Sequence, residues 1–363
     1  MTARGEEHFP KDYAAGRRAF LAAAEARGAR TSSHPLTSRG PEGEELAVDV
    51  ARLGPEAAER ALVVSSGIHG VEGFAGSAIQ HRLLREQLDG LELPADVGLL
   101  VIHALNPWGF AWVRRVNESN VDLNRNFLRH PEDHVPNPGY DHLYEAINPT
   151  LLDEESEAAS AARLLGYAEE HGAKRLQEVL TCGQYAHARG VQFGGVREEE
   201  SNRILRAVVG RELRGARELA WVDLHTGLGP FGSVELISEY PVEHPAYARM
   251  RAWYGEEARS SVAGESVSAA LHGVMERGIE SELSPDCEST IFAAEFGTYE
   301  PQRVFWAMRA DNWLRHHGDP DSEQAHRIRG ELLEVFRPDD PQWQARVLEE
   351  GARVLGTTRD RAF

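Results

Sequence analysis

Cysteine is scarce in this chain, with Cys182 and Cys287 the two thiols among 363 residues. That excludes a disulfide framework as the source of stability. The absence of any CxxC or zinc-finger spacing also removes both thiols as metal ligands. Two free thiols in a reducing cytoplasm are expected. Basic residues are short as well, 39 Lys and Arg against 58 Asp and Glu, for a net charge of −19. Such a surface has no cationic excess with which to displace counterions, so a nucleic-acid partner is not expected. No apolar run reaches the length of a membrane span. The opening Met1-Thr2-Ala3-Arg4-Gly5-Glu6-Glu7-His8 is polar and carries no signal core. A soluble cytoplasmic protein without a membrane partner is the expectation. Internal repeats, low-complexity tracts and flexible linkers are missing too, which predicts one domain over residues 1–363.

What is present supports a substantial core, since 41% of residues are hydrophobic. Apolar residues at helical spacing (Tyr13, Ala14, Phe20, Leu21, Ala24) predict a helix over 11–27. Alternation of Leu46, Val48 and Val50 predicts a strand over 45–53. Strand 61–66, helix 73–88 and strand 97–103 follow in βαβ order, which predicts a parallel or mixed sheet. Residues 106–141 are rich in Asn, Pro, His and Arg and read as a long functional loop region. Residues 150–217 read as a helical insertion, irregular at 183–195. Strand character returns at 219–224, 233–238 and 290–296. The segment 301–363 reads as helical, broken near Asp319-Pro320 and Pro338-Asp339-Asp340-Pro341.

Chemistry-bearing residues collect at the ends of these strands. His69 and Glu72, three apart after Ala61-Leu62-Val63-Val64, offer two of the three protein ligands of a catalytic zinc ion, with a position left open for water. Alone, an HxxE pair is more often structural. The Arg/Asn-rich run Arg114–Phe127 is poor helix and strand material and suits carboxylate recognition, or a polar loop paired with the abundant acids. His225, closing Trp221-Val222-Asp223-Leu224-His225, stands where open α/β sheets bind ligands and is the natural third metal ligand. Asp223 shares its face of the strand, as an outer partner of that histidine or as a buried polar residue in its own network. Glu295, inside the apolar Ile291-Phe292-Ala293-Ala294-Glu295-Phe296, is a candidate general base or a strand-end salt-bridge partner.

Taken together, His69-x-x-Glu72, Asn106-Pro107-x-Gly109, Arg115 with Asp122-Leu123-Asn124-Arg125-Asn126-Phe127, Asp223-Leu224-His225 and Glu295 resemble the zinc carboxypeptidase superfamily. The resemblance runs from about Leu62 to Gly297. The Asp-Leu-His-Thr-Gly and Glu-Phe-Gly-Thr forms are also similar to the aspartoacylase and succinylglutamate desuccinylase branch. The resemblance implies a three-layer α/β/α carboxypeptidase-like fold with a mixed central sheet. It implies Zn2+ held by His69, Glu72 and His225, and Arg115 polarising the scissile carbonyl. Asn124 and Arg125 would clamp a substrate carboxylate. Glu295 would activate water and pass its proton to the leaving amine. The implied activity is cleavage of an amide next to a free carboxylate in a small peptide or peptide-like substrate. N-acyl amino acid deacylation, ester cleavage and non-catalytic carboxylate binding are the rival readings. Tyr185, Tyr240 and Tyr299 compete for the role of a substrate-covering tyrosine. His103 reads as a strand-end histidine rather than a fourth ligand, and His130, His134 and His142 form a His-rich loop that is either simply exposed or a lid or second metal site.

Overall fold

The computed structural model describes residues 6–363. Residues 1–5 of the polar opening segment lie outside the described residues. One mixed sheet of eight strands organises the chain: β1 (Arg30–Arg39), β2 (Glu45–Leu53), β3 (Arg60–Ser66), β4 (Val97–His103), β5 (Glu218–Gly227), β6 (Val234–Ser238), β7 (Ala258–Ser260) and β8 (Glu288–Gly297). Their spatial order is β1-β2-β4-β3-β5-β8-β6-β7. The centre, β4-β3-β5-β8, is parallel throughout. β2 meets β4 antiparallel, and β6 meets β8 antiparallel.

Strand periodicity sends alternate residues to opposite faces, and both faces are covered by helices. On one, Leu62 and Val64 pack with Ala75, Ala78 and Ile79 of helix Gly73–Arg82 and with Trp343 and Val347 of helix Pro341–Ala362. On the other, Ala61 and Val63 pack with Leu205, Val208 and Val209 of helix Glu200–Glu212. The chain leaves β3 toward β4 on one side and returns, after residues 104–217, to β5 on the other side of β3. That reversal opens a crevice beyond the carboxyl ends of β3 and β5, where ligands bind in sheets of this kind.

The elements expected between residues 11 and 103 form close to the expected bounds, except that helix 73–88 is α-helical to Arg82 and widens into a π turn over Leu83–Gln87. Two strands carried no signal. β1 holds Pro35 among Ser, Thr and Arg, a composition that argues against a central strand; it forms as an edge strand, where a missing N–H is tolerated. β7 has three residues, too few for a period to register. The loop region 106–141 contains a short helix, Pro107–Ala111, and the start of helix Pro138–Ile147. Both begin with an asparagine whose side-chain oxygen accepts a main-chain N–H, followed by proline in the first turn. Both cysteines are free and half-buried. Among the described residues no helix is long and apolar enough to cross a membrane.

Candidate metal centre

β3 ends at Ser66, and Gly67, at φ +68°, turns the chain off the strand. A 3-10 turn over Gly70–Glu72 then brings Glu72 back beside His69. Gly70 is required there, because a Cβ would stand 2.1 Å from the main chain of Gly109. On the neighbouring strand His225 projects from β5, and sheet register sets Glu295 of β8 directly opposite it. Residues from three parallel strand ends thus meet in one crevice.

The Glu72 carboxylate lies between the two imidazoles. Its Oε1 is 2.7 Å from His69 Nδ1 and its Oε2 3.0 Å from His225 Nδ1. The ligand atoms of His69, Glu72 and His225 all lie within 4.8 Å of one another, and the three residues are buried. Each ring is held from behind by an acid. His69 Nε2 is 3.2 Å from Asp122 Oδ1, and His225 Nε2 is 2.7 Å from Asp223 Oδ2. Carboxylates behind metal-binding imidazoles fix ring orientation and tautomer in this way. Ser65 in turn donates to Asp223, at 2.5 Å, and receives the Trp221 indole N–H.

The charge balance of the crevice is unusual. Glu72, Asp122, Asp223 and Glu295 all sit there buried, or nearly so. Burial pushes the Glu72 carboxyl up, but His69 and His225 outweigh it and hold it down at about 2. Burial lowers His225, yet Asp223 and Glu72 override it and raise the ring well above its ordinary value. Asp122 is likewise held well below the usual range against burial, chiefly by Arg115. Glu295 is different: burial and the neighbouring Glu72 charge push it up to about 7. Its Oε1 accepts the Leu228 N–H at 2.8 Å. Two imidazole nitrogens and a carboxylate converge, the far sides of the rings fastened by acids. That donor set fits a divalent cation.

Arg115 sits against the same group. Its Nη2 approaches His69 Nε2 at 2.8 Å, and its Nη1 donates to Asp122 and, at 3.3 Å, to Gln192 Oε1. Arg114 turns away to pair with Asp311 at 3.0 Å. Arg125 lines the crevice with its guanidinium fixed by main-chain carbonyls: Nε and Nη2 on Thr181 O at 3.1 and 2.8 Å, Nη1 on Asn124 O at 2.8 Å. The second N–H of each terminal nitrogen is left for a ligand. Asn124 is not brought into the cavity wall; its side-chain oxygen accepts the Met275 N–H at 2.8 Å and anchors the neighbouring segment.

The crevice holds a volume of about 90 Å³. Its walls come from parts of the chain that carried no site signal: Gln177, Thr181 and Gln192 from the segment between helix Pro138–Ile147 and β5, Ser268, Ala269 and Leu271 from the loop after β7, and Val304, Met308 and Phe336 from the C-terminal helices. Gln177 Nε2 donates to Val267 O at 2.6 Å, joining the insertion to that loop. None of the candidate covering tyrosines lines the cavity. Tyr185 donates to Arg125 O at 2.8 Å, while Tyr240 and Tyr299 donate to Glu280 and Glu334. His103 is buried on Ser77 at 3.0 Å and stacks on Phe20, and burial takes its pKa down to about 3. His130 and His134 face each other at 2.8 Å beside Tyr185, and His142 lies against Tyr167. A second acid–histidine group, Glu7, His8 and Glu86, sits at the surface, where Glu86 also pairs with Arg82.

A family model described as "Protein of unknown function (DUF2817)" matches residues 9–350. No curated protein matches the sequence. Among solved structures, the chain is similar to a carboxypeptidase A from Helicoverpa armigera, at 10% identity, covering 91% of this chain and 75% of that one, with a TM-score of 0.46. A metallo-carboxypeptidase from Pseudomonas aeruginosa is similar at 14% identity, over 95% and 71% of the two chains, with a TM-score of 0.44. The succinylglutamate desuccinylase from Chromobacterium violaceum is similar at 17% identity, over 89% and 74%, with a TM-score of 0.38.

Proposed function

The chain belongs to the DUF2817 family, and from that premise we propose that its buried crevice is the active site of a zinc-dependent hydrolase that cleaves an amide next to a free carboxylate. The observation that carries this reading is the convergence of His69, Glu72 and His225, their ligand atoms all within 4.8 Å of one another, with the Glu295 carboxyl set opposite His225 by sheet register. Zinc bound by the His–Glu–His group would supply Lewis acidity and an acidified water. Every other task falls to the chain's own residues.

Glu295, ionised, takes a proton from the attacking water and returns it to the leaving amine. A pKa near the working pH serves both transfers. Arg115 directs a guanidinium at the carbonyl oxygen as negative charge develops on it. A fixed donor of this kind contributes roughly 3–4 kcal/mol of transition-state stabilisation. Arg125 holds the substrate carboxylate through the N–H groups that its carbonyl partners leave free. Asn124 acts on the site indirectly, by fastening the Met275 segment. Asp122 and Asp223 keep the imidazoles in the tautomer that presents Nδ1.

One observation favours a small substrate. A volume of about 90 Å³ is walled in part by residues between 177 and 192 and by the loop after β7. An N-acyl amino acid or a dipeptide needs far less displacement of those walls than a protein C-terminus does. N-acyl amino acid deacylation is therefore the second reading. The test is metal analysis of the purified protein, followed by a panel of N-acyl amino acids and peptides of increasing length with and without a chelator. Stoichiometric zinc and chelator-sensitive hydrolysis are expected. Metal-free protein that cannot be loaded, or hydrolysis indifferent to the chelator, would overturn the proposal.

A further inference from the structure

Gln192 is held in a backbone conformation that side chains resist, at φ +59°. It is 3% exposed and lines the metal cavity. The chain fixes it from both sides. Val191 O accepts the Tyr140 hydroxyl at 2.7 Å, and Val191 N donates to Asn148 at 2.9 Å. Phe193 O accepts the Asp122 N–H at 2.8 Å, and Gln192 O accepts the Gln184 N–H at 3.1 Å. Glycine is the usual solution at such a position, since it adopts positive φ without penalty. A glutamine there places a side chain at a defined point instead. Its Oε1 accepts from Arg115 Nη1 at 3.3 Å, which orients the amide and leaves Nε2 without a protein acceptor among the described residues. That nitrogen is reached by solvent in the cavity, so its N–H groups are available to a bound ligand.

We propose that Gln192 is a catalytic residue whose amide nitrogen donates, beside Arg115, to the carbonyl oxygen of the amide being cleaved. The proposal rests on the hydrolase reading above. Through Oε1 the side chain steadies the guanidinium; through Nε2 it meets the same developing negative charge. The insertion thus completes the reaction centre as well as walling it. A purely structural role predicts that glycine, which relieves the backbone, leaves turnover unchanged.

The experiment compares zinc-loaded wild type with Gln192→Gly, Gln192→Ala and Gln192→Asn on the N-acyl amino acid and peptide panel. Zinc content, thermal midpoint, kcat and KM are recorded for each. Gln192→Gly should keep its zinc and a midpoint at or above wild type, while kcat falls by about 10²-fold or more with KM changed by less than about threefold. Gln192→Ala, which keeps the strained backbone, should lose the same turnover with a lower midpoint. Gln192→Asn should recover part of kcat. Gln192→Gly with wild-type kcat, or with a loss confined to KM, overturns the assignment and leaves the hydrolase reading intact. Zinc-loaded wild type that cleaves no amide overturns the hydrolase reading and this inference with it.

Discussion

The crevice at the strand ends and the cluster just beyond β6 both bury carboxyl groups, and they settle the charge in opposite ways. In the crevice, Glu72 and Asp122 face imidazoles and a guanidinium and stay ionised against the cost of burial. Beyond β6, Glu276 is buried with the Glu239 N–H at 3.0 Å and the Ser238 hydroxyl at 3.4 Å. Burial and the Glu239 charge push its carboxyl well above the ordinary range. Burial of an acid is thus no mark of a metal centre by itself. What distinguishes the crevice is a set of partners that a cation can replace: two imidazole nitrogens on one carboxylate, each ring backed by a further acid.

The largest test of that contrast removes a ligand. His225→Ala, and separately Glu72→Gln, should abolish stoichiometric zinc by metal analysis and reduce hydrolysis to background. Either variant that retained tight metal would erase the distinction. Next comes Glu295→Gln, which should keep its zinc and lose about 10²–10⁴-fold in kcat. In the wild type the acidic limb of the pH–rate profile should fall at or below about 7, because the carboxyl titrates near 7 before a cation binds and a cation lowers it. Glu295→Gln should lack that limb. A smaller effect is expected for Asp122→Asn, which weakens the hold on His69 and Arg115 together. A loss of about 10–100-fold in metal affinity or activity is predicted, read by competition with a chelator.

The smallest effect belongs to the other cluster. Glu276→Gln should leave zinc and turnover unchanged. A carboxyl raised on folding contributes stability that is fully present below its unfolded pKa, here near 4.5, and is lost as pH climbs toward the folded value. Glutamine does not titrate, so the thermal midpoint of the variant should gain on wild type as pH rises from about 5 to 8. A variant that lost activity would make the two clusters functionally one.

Much of the scaffold was legible because buried parallel strands announce themselves as short apolar runs, as at Val97–His103 and Trp221–His225. The polar residues closing those runs were legible for the same reason, since a carboxylate or imidazole at the end of an apolar strand stands out. β1 was not, because an edge strand half open to solvent needs no hydrophobic alternation. The cavity walls were not legible either. Gln177, Thr181 and Gln192 are ordinary polar residues in a charged, alanine-rich segment, and no local pattern says that this segment folds back over the strand ends. Asn124 shows a limit of the motif: it does not tell that the side-chain oxygen accepts the Met275 N–H.

The sequence alone determined which side chains were available to meet a metal ion, because that depends on residue type and on where apolar strands stop. The tertiary structure decided which of them actually meet. Sheet register set Glu295 across from His225, the turn after β3 folded Glu72 between two imidazoles, and the insertion brought Gln192 to Arg115. Contacts between residues so far apart along the chain follow from packing of whole elements, and packing leaves no trace in local composition.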